Sequence, residues 1–210
     1  MEKQKSYESG INTENAKAGV TGRRIGTLEM VLCGVFTTLI AVGAFIKVPV
    51  PVVPFTLQFL FTMLAGLLLG GRLGAMSVGV YILLGLVGLP IFAEGGGFWY
   101  ILKPSFGYLL GFMLAAWVTG RMVERRGRLT TGWVMAVNFL GLFIVYAAGM
   151  VYYYVICNYV IDTPIAVGPL FLYCFVLAVP GDICLCILAA ILTVRVKPVF
   201  QKMMEEGRRK

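Results

Sequence analysis

The chain has 210 residues, 59% of them hydrophobic and only 13% charged, with a net charge of +8 and no histidine. A mean hydropathy of +0.87 is far above that of an ordinary soluble domain, so the chain reads as an integral membrane protein with no room for a separate soluble catalytic domain. Without histidine there is no HExxH zinc motif, no Ser-His-Asp triad and no histidine proton relay.

Residues 1–26 are polar, lack an apolar period and predict a cytoplasmic tail. A cleavable signal peptide is not expected, because the first apolar segment is too long and has no small-residue cleavage site. Apolar stretches at about 28–46, 55–69, 73–91, 105–119, 133–156 and 180–196 predict an all-α polytopic membrane protein with six transmembrane helices. The membrane domain is expected over 27–197, with a basic cytoplasmic tail over 198–210.

In the first span Cys33, Thr37 and Ala41 form one small-residue row, and Gly34 and Thr38 another. Such rows let a second helix approach closely, either from this chain or from a partner. Residues 47–54 carry Pro49, Pro51 and Pro54, which fix φ and remove donors, so an extended connection is expected there. Thr56 and Gln58 follow as polar groups just inside the membrane boundary, where they need partners. Gly70 and Gly71 predict a tight turn, and Gly74, Gly79, Gly85 and Gly88 predict close packing of the third span.

Residues 90–108 combine Glu94, Lys103 and several aromatic side chains with the run Gly95-Gly96-Gly97. Glycines let backbone approach a ligand, and the rings supply rigid contact surface, although an interfacial loop has the same composition. The run is no phosphate loop, because it lacks the GxxxxGK[ST] pattern and no strand precedes it. Further on, residues 169–178 predict an amphipathic or re-entrant piece near the surface. Pro180 and Asp182 suit the first turn of the sixth helix, since proline lacks a donor that would be orphaned anyway and Asp complements the positive dipole end.

Charge sets the orientation. With six spans, all but Lys47 and Lys103 of the 18 Lys and Arg residues fall on one side, so the positive-inside rule places both termini in the cytoplasm. The basic balance therefore records topology, and nucleic acid is not expected as a partner. The five cysteines, odd in number and mostly within apolar segments, read as packing residues. On the outer side the arrangement gathers Gln58, Glu94, Lys103 and Asp182 with Phe92, Trp99, Tyr100 and Tyr108, which is the makeup of a small-molecule pocket. Lys103 suits a ligand carboxylate, and Asp182 suits ligand N–H groups unless it only caps its helix toward water. No nucleophile, base and orienting group accompany them, so an enzyme is not expected.

The run Pro49-Val50-Pro51-Val52-Val53-Pro54-Phe55-Thr56-Leu57-Gln58, followed by Leu64-Ala65-Gly66-Leu67-Leu68-Leu69-Gly70-Gly71-Arg72, closely resembles the second-span signature of BioY proteins. These are the biotin-binding S components of energy-coupling factor (ECF) transporters. The likeness continues through residues 81–93 and 107–112 to Pro180-Gly181-Asp182, in order. The resemblance implies a substrate-binding subunit that captures biotin outside and delivers it inward. It also implies a transmembrane coupling subunit and two ATPase subunits as partners, with ATP hydrolysed by those partners and no cofactor bound by this chain.

The resemblance further implies that Gly34 and Thr38 sit where the family's first helix meets the coupling subunit, at positions where alanines are more usual. Phe92, the central glycine Gly96 and Tyr100 become expected contact surface for the ligand. Many members carry a lysine three residues after the aspartate of the sixth helix; here Leu185 stands there, and Lys103 is expected to supply the missing charge. An S component for another vitamin is the nearest alternative, because pocket chemistry rests on few residues.

Overall fold

The stretch that begins at Gln58 is apolar on every side, and such a helix is either surrounded by protein or immersed in lipid. The computed structural model, which describes residues 25–48, 55–126, 129–176 and 178–209, surrounds it with protein. Helix α1 (Thr27–Phe45) leads through strand β1 (Lys47–Val48) and strand β2 (Phe55–Thr56) to α2 (Gln58–Leu69), α3 (Gly71–Leu86) and α4 (Phe106–Glu124). Then follow α5 (Thr131–Tyr159), the single-turn α6 (Val167–Phe171), a wider π turn over Leu172–Val176, and α7 (Val179–Arg209). Every residue of α2 except Phe61 is buried. It packs against α1, α3, α4 and α7, and α5 closes the bundle against α4 and α7.

By length and composition, four helical stretches among the described residues can cross a bilayer: Thr27–Phe45, Phe106–Glu124, Thr131–Tyr159 and Val167–Met204. The hairpin of α2 and α3 is apolar but shorter, with 12 and 16 residues. At about 1.5 Å per residue these two reach roughly 18 and 24 Å. Apart from the two-residue strands the described fold is helical. The strands pair antiparallel, Lys47 opposite Thr56 and Val48 opposite Phe55. They thereby hold together the ends of the proline-rich connection, whose residues 49–54 lie outside the described residues, as does the tail over 1–24.

Several boundaries differ from the sequence expectation. The second helix starts at Gln58 rather than 55, because Phe55 and Thr56 are in the strand pair. The third ends at Leu86, not 91, since Gly88 takes a φ of +120° and Pro90 cannot continue a helix. The tail expected from 198 is helical through Arg209, with Pro198 inside the helix. There Phe200 packs edge-on against Phe36 of α1, at 6.2 Å between ring centroids, and Met203 and Met204 pack against the core. The piece over 169–178 is a short helix and a π turn that bury Leu170, Cys174 and Ala178 and leave Phe171, Leu172 and Val176 exposed, an amphipathic pattern.

At one end of the bundle α2, α3 and α4 meet backbone to backbone. A Cβ on Gly66 would strike the Ala116 carbonyl, and one on Gly120 would strike the Gly71 amide and the Gly66 carbonyl. Two charges finish this end. Lys197 of α7, only 8% exposed, donates to the Leu67 and Leu68 carbonyls at 2.7 and 3.0 Å, where α2 leaves its last acceptors unpaired. Glu124 of α4 accepts the Gly71 N–H at 3.2 Å, at the start of α3. Each charge has the sign that complements the dipole end it touches.

Gly120→Ala is expected to cost about 1 to 3 kcal/mol through overpacking, seen as a lower thermal midpoint of the detergent-solubilised protein. Gly34→Ala, whose Cβ would meet nothing within 4 Å, is expected to leave the midpoint unchanged.

Candidate functional site

The other end of the bundle holds an open-mouthed cavity, with about 700 Å³ of space counted out into the solvent at its mouth. Its walls come from several separate parts of the chain. Thr56 and Gln58 enter at the start of α2, Ala93 and Glu94 from the loop after α3, and Tyr100 from the 3-10 turn over Phe98–Leu102. Tyr108 and Phe112 line it from α4, Tyr146 from α5, Cys174 from the π turn and Asp182 from the first turn of α7.

Asp182 is 7% exposed, so its carboxylate needs donors. Tyr146 supplies one: its phenol donates to Oδ2 at 2.5 Å. The Tyr146 ring stands edge-on to Tyr108, at 6.0 Å between centroids, and to Phe175, at 5.3 Å, which fixes the direction of the O–H. Asp182 itself lines the cavity. Two further polar atoms in the same lining are buried and unpaired within the protein, Gln58 Nε2 and the Tyr108 hydroxyl. Buried polar groups without partners are rare, and in a cavity wall they mark where a ligand or water completes the bonding.

The loop that caps this cavity is held at many points. Gly97, at a φ of +103°, donates its N–H to the Gly85 carbonyl at 2.7 Å and so turns the chain back over α3. Tyr81 donates to the Ile91 carbonyl at 3.0 Å, and Tyr152 of α5 donates to the Ile101 carbonyl. Lys47 donates to the Ala93 carbonyl at 3.1 Å and Lys103 to the Glu94 carbonyl at 3.0 Å. Ser105 donates to the Tyr100 hydroxyl at 3.4 Å. Burial pushes the Tyr100 phenol above its usual pKa, so it remains a neutral O–H at physiological pH.

Of the residues proposed from sequence, the structure brings Gln58, Glu94, Tyr100, Tyr108 and Asp182 into one lining. Phe92, Gly96 and Lys103 are not part of it. Phe92 is 1% exposed and wedged between the Tyr81 and Tyr100 rings, so it props Tyr100 from behind. Gly96 presses on the Leu89 carbonyl, where a side chain has no room. Lys103 sits at the rim, 3.3 Å from Glu94 Oε2 and 5.0 Å above the Tyr100 ring. Trp99 is 78% exposed and faces away.

Tyr146 and Cys174 are among the lining residues that sequence reasoning passes over, as are Phe59, Phe112 and Val145. A hydroxyl in the middle of an apolar span was the available signal for Tyr146, since a buried tyrosine needs a partner for its O–H. Leu185 is buried outside the lining, so among the described residues no cation lines the cavity. None of the described residues form a group of three or more Cys, Asp or Glu able to hold a metal. On α1 the two small-residue rows separate: Cys33 and Thr37 donate to the Leu73 and Ser77 carbonyls of α3, while Gly34 and Thr38 lie exposed on the outside of the bundle.

The model of the BioY family matches residues 13–202. The chain belongs to the BioY family. It is 48% identical over 175 residues to a probable biotin transporter BioY of Lysinibacillus sphaericus, covering 83% of this chain and 89% of that protein. To the biotin transporter BioY of Thermotoga maritima it is 39% identical over 172 residues, 80% of this chain and 95% of that protein. Its fold is similar to the 2.1 Å crystal structure of the S-component for biotin from an ECF-type ABC transporter. The TM-score is 0.67 and the identity 25%, over 81% of this chain and 90% of that chain. As a BioY-family member the chain falls in a transporter family with several apolar helices, as a multi-pass membrane protein requires.

Tyr146→Phe removes the phenol from a buried carboxylate and is expected to cost about 1 to 3 kcal/mol of stability. In a Tyr146→Phe, Asp182→Leu double variant the two losses are expected to fall short of additivity, as thermal or denaturant unfolding in detergent would show.

Proposed function

We propose that this chain is the substrate-binding S component of an ATP-driven ECF uptake transporter, capturing biotin at the outer face of a bacterial cytoplasmic membrane and delivering it inward. The observation that carries the reading is the cavity: Asp182 held by Tyr146, with Gln58 Nε2 and the Tyr108 hydroxyl unpaired beside it. Biotin offers a cyclic urea, with N–H donors and a carbonyl acceptor, on an apolar bicycle with a flexible carboxylate tail. Asp182 accepts from the urea N–H groups, Gln58 and Tyr108 donate to its carbonyl, and Phe59, Phe112 and Val145 enclose the apolar rings. Lys103, the cation at the rim, takes the carboxylate in place of the residue that Leu185 cannot supply.

The remaining parts of the reading follow from charge and surface. Six spans, with α2 and α3 forming the short central hairpin, put Lys47 and Lys103 outside and both termini in the cytoplasm. The polar tail over 1–26 and the end of α7 beyond 197 then lie in the cytoplasm. The chain binds no cofactor and hydrolyses no ATP; a transmembrane coupling subunit and two ATPase subunits supply the energy. The exposed Gly34 and Thr38 of α1, flanked by Val31, Val35 and Val42, form the flat apolar face that the coupling subunit meets.

Equilibrium binding of radiolabelled biotin to the purified chain, with thiamine and riboflavin as competitors, tests the ligand. Biotin is expected to bind and the other vitamins not to displace it. Asp182→Asn and Gln58→Leu are each expected to weaken biotin about tenfold or more, the scale of a lost hydrogen bond to a buried charged or polar group. Displacement by thiamine or riboflavin would reassign the chain to another vitamin. Gly34→Leu with Thr38→Leu is expected to abolish copurification with the coupling subunit while biotin affinity stays unchanged.

A further inference from the structure

We propose that Glu94 is a resident anion on Lys103 that the ligand's carboxylate displaces, so that this rim pair selects ligands bearing a free carboxylate. The proposal rests on the biotin reading above and deepens it.

The first observation is who holds the loop. Lys47 and Lys103 donate to the successive carbonyls of Ala93 and Glu94, at 3.1 and 3.0 Å. The segment is therefore pinned through its backbone, and the Glu94 carboxylate is not needed to keep it in place. An ammonium has three donors, and in Lys103 two are engaged, one on the Glu94 carbonyl and one on Glu94 Oε2 at 3.3 Å. The second bond can be exchanged while the first persists. The Tyr100 ring, 5.0 Å below the ammonium and itself part of the cavity lining, keeps Lys103 at the rim through a cation–π contact.

The second observation is electrostatic. The cavity is lined by two carboxylates, Glu94 and Asp182, and by no cation among the described residues. An anionic ligand entering it meets repulsion from both unless one is removed from the lining. Asp182 is buried and tied to Tyr146, so it stays. Glu94 is 42% exposed and Lys103 43%, and a pair that faces water is weak and easily opened. Glu94 can swing into solvent as the ligand carboxylate takes its place, one anion for another on the same ammonium. A neutral ligand has nothing to offer Lys103 and leaves the pair closed.

A plain surface ion pair makes the opposite prediction, because removing either partner then leaves ligand affinity alone. The test is equilibrium binding of biotin and of neutral biotin amide to the full purified chain and to its Glu94→Gln and Lys103→Met variants. Glu94→Gln is expected to tighten biotin by about threefold or more, and Lys103→Met to weaken it by about tenfold, with the amide unchanged in both. Thermal midpoints equal to that of the unsubstituted chain are expected, since the pair is exposed. Unchanged or weaker biotin binding in Glu94→Gln, or equal shifts for biotin and its amide in either variant, overturns the exchange while leaving the biotin site standing. Failure of the unsubstituted chain to bind biotin overturns the site itself, and the exchange with it.

Discussion

A carboxylate surrounded by hydrocarbon must be held by donors, and the placement of Asp182 organises one end of this molecule. It lies in the first turn of α7, where Pro180 has already given up an amide that would be orphaned and the dipole end favours negative charge. Tyr146 donates to one oxygen, and two more rings hold Tyr146. Gln58 and Tyr108 stand in the same wall with buried, unpaired atoms. An incompletely satisfied polar wall that lines a cavity inside an apolar bundle is a binding site waiting for its partner.

The opposite end is built on the reverse principle. There α2, α3 and α4 touch through backbone atoms around Gly66 and Gly120, and the loose polar ends of α2 and α3 are closed by Lys197 and Glu124. The unpaired helix termini that cost free energy at that end are satisfied within the chain. This contrast makes the bundle polar and open at the loop end, and closely packed at the other. It also explains why α2 is short. Gln58 has to reach the cavity while Leu67 and Leu68 reach Lys197, and 12 residues span that distance.

Much of this was legible in the sequence, and the reasons differ from element to element. The apolar runs and their order gave the helices, because hydrophobicity over about 20 residues is a strong signal. Gln58, Glu94, Tyr100, Tyr108 and Asp182 stood out as polar or aromatic groups in apolar or glycine-rich surroundings, and all five share one cavity lining. Helix ends were less legible. The strand pairing of Thr56 with Lys47 joins residues nine apart across a proline connection, and the burial of Phe200 depends on Phe36 far away in the chain. Tyr146 escapes notice because a tyrosine within a span reads as a large apolar side chain until its hydroxyl is asked for a partner. The sequence reads Phe92 as contact surface, but whether a ring faces a ligand or supports the ring that does is decided by packing, not by spacing.

The two lysines that stand apart from the other basic residues show how charge distribution and chemistry meet. The charge count alone singled out Lys47 and Lys103 as the exceptions to an otherwise one-sided distribution. In the fold both ammonium groups arrive at the same dipeptide, Ala93 and Glu94, and bond its two carbonyls. Two cations set apart from so one-sided a distribution each need a local reason to be there. Lys47 has one in the loop it holds. For Lys103 that bond accounts for only one of its donors; the remainder of its charge is turned to Glu94 and the Tyr100 ring, both of which line the cavity. Its backbone role explains why the loop stays closed, and its position above the cavity rim explains why the charge is a lysine's rather than a neutral donor's.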